Sequence, residues 1–258
     1  MVGRPRRHGW LVALVLVAGC SLFRGGPGAF RTGVTAEELV TRMTERRAAV
    51  TSLRARARLK AGLAGMWTRE AVLVRRPSDV RVDVLSPFGL ALALGASADR
   101  LWVYPPAQGV RFEGASSPEN LSRFLGAPVE VTDLVDILLG MAPARVPSGD
   151  PEIAVVANDE YRLTITFDGG VQTLWFAGDT LDLRRAEEHR GESTVLTVAF
   201  DDYRDGFPHA LAVTAPVVGS SVQLAYDDVE TNASIDAALF LPPPAPRTLP
   251  LESAATSS

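Results

Sequence analysis

A two-residue rhythm constrains the fold of this chain more than any other feature. In residues 53–60, Leu53, Ala55, Ala57 and Leu59 alternate with Arg54, Arg56, Arg58 and Lys60. Successive side chains of an extended chain point to opposite faces, so this segment reads as a strand with one face on a core and the other in water. Four cations in a row also suit phosphate headgroups, although a solvated outer face is the simpler reading. The rhythm returns at Tyr161, Leu163, Ile165 and Phe167, set against Arg162, Thr164 and Thr166. The first run extends over 53–63 and the second over 161–168. Other β-rich runs cover 67–76, 80–85, 90–95, 100–105, 110–113, 152–156, 171–176, 181–188, 193–201, 210–215, 221–227 and 235–241. Their connections are short, with turn signals such as Asp168-Gly169-Gly170, Gly178-Asp179 and Asp205-Gly206. Short links predict antiparallel neighbours rather than helix-linked crossovers.

Three helices fit between and before these runs. Thr35 with Glu38 forms a capping box, and Leu39, Val40, Met43 and Val50 then lie near one face of a helix ending about Thr51. Ser117 caps a second helix with Pro118 at its first position, running through Leu121, Phe124 and Leu125 to Gly126 and Pro128. Thr132 caps a third, in which Leu134, Val135, Ile137, Leu138 and Leu139 precede Gly140. This last helix is more apolar than one amphipathic face requires, which suits a cover over an apolar hollow as well as a plug in a core. The predicted class is α+β and β-dominated: one strongly curved antiparallel sheet, an incomplete half-open barrel partly closed by helices.

The first twenty residues have the layout of a secretory leader. Arg4, Arg6 and Arg7 precede the apolar stretch 10–18, and Val17-Ala18-Gly19 leads into Cys20, the single cysteine. The ending resembles the lipobox of bacterial lipoproteins, which implies cleavage before Cys20 and lipid on its thiol. Several acyl chains would anchor the protein durably where one would not. Ser21, a residue other than Asp after the cysteine, points to the outer membrane under the enteric sorting rule. The expected organisation is a signal peptide at 1–19, a lipidated flexible tether at 20–33, a folded domain at 34–241 and a Pro-rich disordered tail at 242–258.

Charge is divided along the chain. Residues 20–129 carry 16 Lys and Arg against 9 Asp and Glu, and residues 130–258 carry 7 against 21. A basic half beside anionic lipid and an acidic half facing away would be electrostatically consistent, as would two ordinary solvated faces. Nucleic acid is not an expected partner of an envelope protein with this balance. One cysteine excludes a disulfide framework, and His8, His189 and His209 supply neither a metal site nor a recognisable triad. No phosphate-binding Gly-rich loop occurs. The sequence thus gives no catalytic residues, no metal ligands and no cofactor, and predicts a binding protein rather than an enzyme.

Three stretches, in order, resemble the LolA/LolB lipoprotein-sorting superfamily, LolB-like outer-membrane receptors above all. Ser86-Pro87-Phe88-Gly89 between two strands looks like a loop that exposes a leucine for membrane insertion, with Phe88 in the leucine's place. Residues 120–128, followed by Leu134 and Ile137-Leu138-Leu139-Gly140, look like paired lid helices each ending in Gly. Val222 to Tyr226, Asn232 and Ala238 to Phe240 with Pro242 are similar to the closing strands of the LolA type. The resemblance covers about residues 35–242. It implies a half-barrel that accepts acyl chains of other lipoproteins, received from a periplasmic carrier, and inserts them into the outer membrane as a lipid-anchored monomer facing the periplasm, without ATP or cofactor. Pro87, Phe88 and Gly89 would form the insertion loop, unless Phe88 folds back as core. Trp67, Trp102, Leu121, Phe124, Leu134, Ile137, Leu138, Leu163, Ile165, Phe167 and Trp175 are the candidates for the acyl-chain cavity. Strand parity relative to that cavity is not fixed by the sequence. The alternative is a structural or sensory envelope lipoprotein that uses the same scaffold for a different lipid or a partner protein.

Overall fold

The computed structural model describes residues 29–62, 65–125, 128–156 and 159–251, without the side chains of Phe124 and Leu125. Cys20 and the leader, and the tail beyond Leu251, lie outside the described residues. Among those described, the helices are α1 (Ala36–Ala49), α2 (Pro118–Leu125) and α3 (Val131–Leu138). The first group of strands is β1 (Ser52–Ala61), β2 (Thr68–Arg75), β3 (Asp79–Ser86), β4 (Gly89–Ala96), β5 (Leu101–Tyr104) and β6 (Val110–Gly114). After α2 and α3 come β7 (Glu152–Val156), β8 (Glu160–Phe167), β9 (Gly170–Ala177), β10 (Leu183–Arg190), β11 (Ser193–Arg204), β12 (Phe207–Ala215), β13 (Ser220–Thr231) and β14 (Arg247–Pro250). No described helix is long and apolar enough to cross a membrane.

All the strands belong to one sheet in the order β14-β6-β5-β4-β3-β2-β1-β13-β12-β11-β10-β9-β8-β7. It consists of two antiparallel meanders, β1 to β6 and β7 to β13, joined where β1 pairs with β13 from Leu53↔Thr231 to Ala61↔Val222. The sheet has two free edges, β7 and β14, and is an open barrel. Register shifts at Arg56/Ala57, Val84/Leu85 and Glu188/His189 bend it as bulges do.

The seam explains the cationic stripe. Arg54, Arg56 and Arg58 face Glu230, Asp228 and Asp227 at 3.4, 3.1 and 3.0 Å on the outer surface. Such exposed pairs contribute about 0.2–1 kcal/mol each, so they chiefly fix register, while Leu53, Ala55 and Ala57 are buried behind them.

Helix α1 closes one end of the barrel. The Thr35 hydroxyl accepts the Glu38 amide at 3.1 Å, Glu37 and Glu38 occupy the first turn, and Arg46 and Arg47 the last, all favourable to the helix dipole. Its fully buried Leu39 enters the main core. Ahead of α1, Phe30 stacks on Tyr161 with ring centroids 5.1 Å apart, and the Arg31 amide donates to the Gly178 carbonyl at 2.8 Å. Helix α3 begins two residues earlier than predicted, with Glu130 rather than Thr132 as N-cap.

The C-terminal segment departs most from expectation. Residues 235–241 form no strand, because β13 already has both neighbours, β1 and β12. They turn instead into a short 3-10 helix, Ala237–Phe240, capped by Asp236, and cross the convex face of the sheet. There Phe240 is buried, its carbonyl accepts the Trp102 indole N–H at 3.2 Å, and Gly95 leaves the space that the Trp102 ring occupies. The expected disordered tail from 242 is ordered through Leu251. Residues Arg247–Pro250 pair in parallel with β6, and Leu251 is fully buried beside Gly114 in a satellite core with Leu101, Phe112 and Leu121. Proline tolerates such a place because an edge strand needs ladder bonds on one side only.

Leu251→Ala should cost about 2–5 kcal/mol of stability, the usual range for truncating a buried leucine, as measured by urea denaturation.

Candidate functional site

The concave face of the sheet is not filled. Beneath α3 lies a hollow of about 230 Å³. Its walls are Leu59 of β1; Thr68, Glu70 and Val72 of β2; Val80, Val82 and Val84 of β3; Leu92 and Leu94 of β4; Leu211 and Val213 of β12; and Val222 and Leu224 of β13. Val129 and, from one face of α3, Leu134, Ile137 and Leu138 form the roof. Each wall strand contributes by its period-2 alternation, and β3 gives every second residue. The lining is almost wholly aliphatic.

The hollow is displaced toward one end of the barrel. Leu53, Ala55, Val74 and Tyr226, further along the same strands toward α1, are packed into the core. At the opposite end three neighbouring hairpin tips are apolar and exposed. The β3–β4 tip carries Phe88, fully exposed, flanked by Leu85 and Leu90. The β1–β2 tip carries Met66 and Trp67, and the β12–β13 tip Val217 and Val218. The Ser86 hydroxyl accepts the Phe88 amide at 3.2 Å and donates to the Gly89 carbonyl at 3.0 Å, which keeps Phe88 off the sheet. Gly89 sits at φ +111°, a conformation that L side chains rarely adopt.

Ion pairs hold the roof down. Asp136, buried in the last turn of α3, accepts from Arg47 of α1 at 2.9 Å, from Arg76 of the β2–β3 turn at 2.6 Å and from the Ala144 amide at 3.0 Å. Arg145 pairs with Asp133 of α3 at 2.7 Å and Glu188 of β10 at 2.6 Å. Burial alone would lower the Arg145 pKa, but bonding to Asp133, with Glu188 beside it, raises it above the ordinary guanidinium value. Gly140 ends α3 at φ +74° against Pro208, where a Cβ would come within 2.7 Å of the proline ring.

Among the described residues Glu70 is the one ionisable group in the lining, and it is 2% exposed. The Thr68 hydroxyl donates to its Oε1 at 2.6 Å, while Oε2 has no hydrogen-bond partner among the described residues. Burial pushes its carboxyl pKa up, the Thr68 bond opposes this, and the charge of Asp83 adds to the rise.

Of the predicted site residues, Leu134, Ile137 and Leu138 meet at the hollow and Pro87-Phe88-Gly89 forms the projecting tip. The others lie elsewhere. Trp67 belongs to an exposed tip, 5.7 Å from the Arg58 guanidinium. Trp102 lies under the C-terminal segment on the convex face. Leu121 packs in the satellite core, and Leu163 and Ile165 in the main core. Phe167 and Trp175 are half-buried beneath Arg145 and Arg185, with ring centroids 5.5 and 3.8 Å from the guanidinium carbons. The side chain of Phe124, like Cys20, lies outside the description. Large aromatic size was the wrong guide: the walls need small branched side chains that leave space, and the alternating Val80, Val82 and Val84 were the available signal.

Asp136→Ala should cost about 3–5 kcal/mol, because it strands two partly buried guanidinium groups; thermal unfolding checks this. Glu70→Leu should stabilise the fold by about 1–3 kcal/mol at neutral pH by removing a buried carboxyl with an unmet oxygen. Because the folded state raises the Glu70 pKa, wild-type stability from this group is full below the unfolded value and is lost as pH rises through the folded one. The advantage of the variant should therefore shrink toward pH 4, as followed by urea midpoints from pH 4 to 8.

No protein-family model and no curated protein matches the sequence. Solved structures do match the fold. A LolA superfamily protein from Nitrosomonas europaea, 18% identical, aligns over 81% of this chain and 99% of its own with a TM-score of 0.54. A putative outer membrane lipoprotein-sorting protein domain from Vibrio parahaemolyticus, 17% identical, aligns over 80% and 97% with a TM-score of 0.53. A DUF1329 family protein from Desulfovibrio piger, 17% identical, aligns over 80% and 95% with a TM-score of 0.55. The single unclosed sheet curled around a helical roof, as described above, is a LolA-like open barrel.

Proposed function

We propose that this protein is an envelope lipoprotein that binds acyl chains of other lipoproteins in the hollow beneath α3 and helps insert them into the outer membrane, with lipid on Cys20 as its anchor. The observation that carries this reading is the aliphatic hollow displaced toward three apolar, exposed hairpin tips. A lipid chain passing between such a hollow and a bilayer exchanges one dry environment for another, so a small affinity difference sets direction and no cofactor or ATP is needed. The partners are acyl chains, a periplasmic carrier that brings them and the membrane, and the protein acts as a monomer without enzymatic chemistry. Phe88, with Trp67 and Met66 beside it, enters the interface, contributing about 1.5–3 kcal/mol for a large side chain. That is too little to anchor the protein and enough to position the mouth. Lys60 and Arg69 lie at the same end and suit anionic headgroups.

The size of the hollow favours a second, narrower reading. An apolar cavity of about 150 Å³ binds benzene, so about 230 Å³ holds a segment of one chain while α3 is down. A structural or sensory lipoprotein that binds a single-chain lipid would need no more, whereas carrying a triacylated cargo requires α3 to lift.

Depletion of the protein should mislocalise other lipoproteins, as seen by membrane fractionation; normal sorting supports the narrower reading. Phe88→Glu should slow transfer of a bound fluorescent acyl chain into liposomes several-fold while leaving its binding unchanged, and equal transfer rates would rule out the insertion role.

A further inference from the structure

Glu70 is foreign to a pocket made only for hydrocarbon. It projects inward from β2 between Thr68 and Val72, and its cross-strand partners are Ala57 and Val84. Among the described residues no cation pairs with it, and the Thr68 hydroxyl is its only donor. A carboxylate accepts several hydrogen bonds, and a buried acceptor left unmet is costly, so a natural core would place an aliphatic residue here. Oε2 is also shut off from solvent, so water does not satisfy it while the hollow is closed. The deficit persists until a donor is inserted between the aliphatic side chains.

Position specifies what such a donor would be attached to. Thr68 begins β2 directly after the apolar β1–β2 tip, so Glu70 stands near the mouth, while Val72, Val82 and Val80 lie deeper toward α1. A chain entering tail first brings its polar end to the level of Glu70. The negative charge of an ionised Glu70 itself disfavours a carboxylate or phosphate at that point and favours an N–H donor.

We propose that Glu70 is the polar contact of the hollow, and that the preferred ligand is a single acyl or alkyl chain whose polar end carries an N–H group, an amide or an amine, donated to the Glu70 carboxyl. The inference rests on the acyl-chain reading above and adds to it the chemistry of the head.

The test is displacement of a fluorescent fatty-acyl probe from the purified protein by four ligands of one chain length: N-methyldodecanamide, dodecylamine, methyl dodecanoate and dodecanoate. The amide and the amine should displace at concentrations about tenfold lower than the ester and the acid, as expected for one added charge-assisted hydrogen bond. Glu70→Leu should abolish that preference while binding the ester at least as well. Glu70→Gln, which keeps a carbonyl acceptor and loses the charge, should retain the preference for the amide and lose that for the amine. Unfolding midpoints at or above wild type show that the variants are folded. Equal displacement by amide and ester in wild type, or a preference that survives Glu70→Leu, overturns the role of Glu70 and leaves acyl binding standing. Failure of the wild-type protein to bind the probe or any of the four ligands overturns both.

Discussion

Two arginines and a backbone amide converge on the buried carboxylate of Asp136, and the position of the helical roof depends on that contact. Helix α3 has only eight residues, too few to be stable alone. Leu134, Ile137 and Leu138 face the hollow, while Val135 and Leu139 are fully buried in the main core. Asp136 couples the helix to α1 through Arg47 and to the β2–β3 turn through Arg76, while Arg145 couples its other side to β10. Buried ion pairs repay their desolvation only when the geometry is satisfied, and here both oxygens of Asp136 are met. Opening the roof means separating named charges as well as withdrawing Val135 and Leu139 from the core.

An unfilled hollow is itself a statement about energy. Empty apolar space costs roughly 24 cal/mol per Å³, so about 230 Å³ left dry represents on the order of 5 kcal/mol, comparable with the net stability of many domains. Larger side chains at Val72, Val82 or Val213 would fill it. The sheet instead presents short branched residues around the hollow and keeps its tryptophans away from it, with Trp102 under the C-terminal segment and Trp175 beneath Arg185.

Much of the scaffold was legible in the sequence because it follows from local rules. Alternation announced β1 and β8, the Thr35 and Glu38 pair announced α1, and paired Gly and Asp residues marked hairpins. Whatever depended on where strands sit relative to one another was not legible. Period 2 gives two faces without saying which is concave, so the alternating valines of β3 went unread while tryptophans stood in for them. Residues 235–251 were misread for a related reason: their partners, Trp102, Arg75 and the β6 edge, are more than a hundred residues away. Phe88 was readable, because Ser, Pro and Gly around one aromatic leave it little choice but to project.

The place where the chain enters the fold has a mechanical consequence. Phe30 and Arg31 dock at the α1 end, on Tyr161 and Gly178, and Phe88 stands at the other. From Cys20 to Ala29 is nine residues, at most about 32 Å of fully extended chain, and a ten-residue strand such as β1 is itself about 33 Å long. For a lipidated Cys20, anchor and tips can share one bilayer only when the leash is drawn nearly taut along the flank of the barrel or the barrel tilts toward the membrane. With the α1 end toward that bilayer and the barrel upright, the mouth would face away from it. One short leash would thus separate a loading posture from a delivery posture.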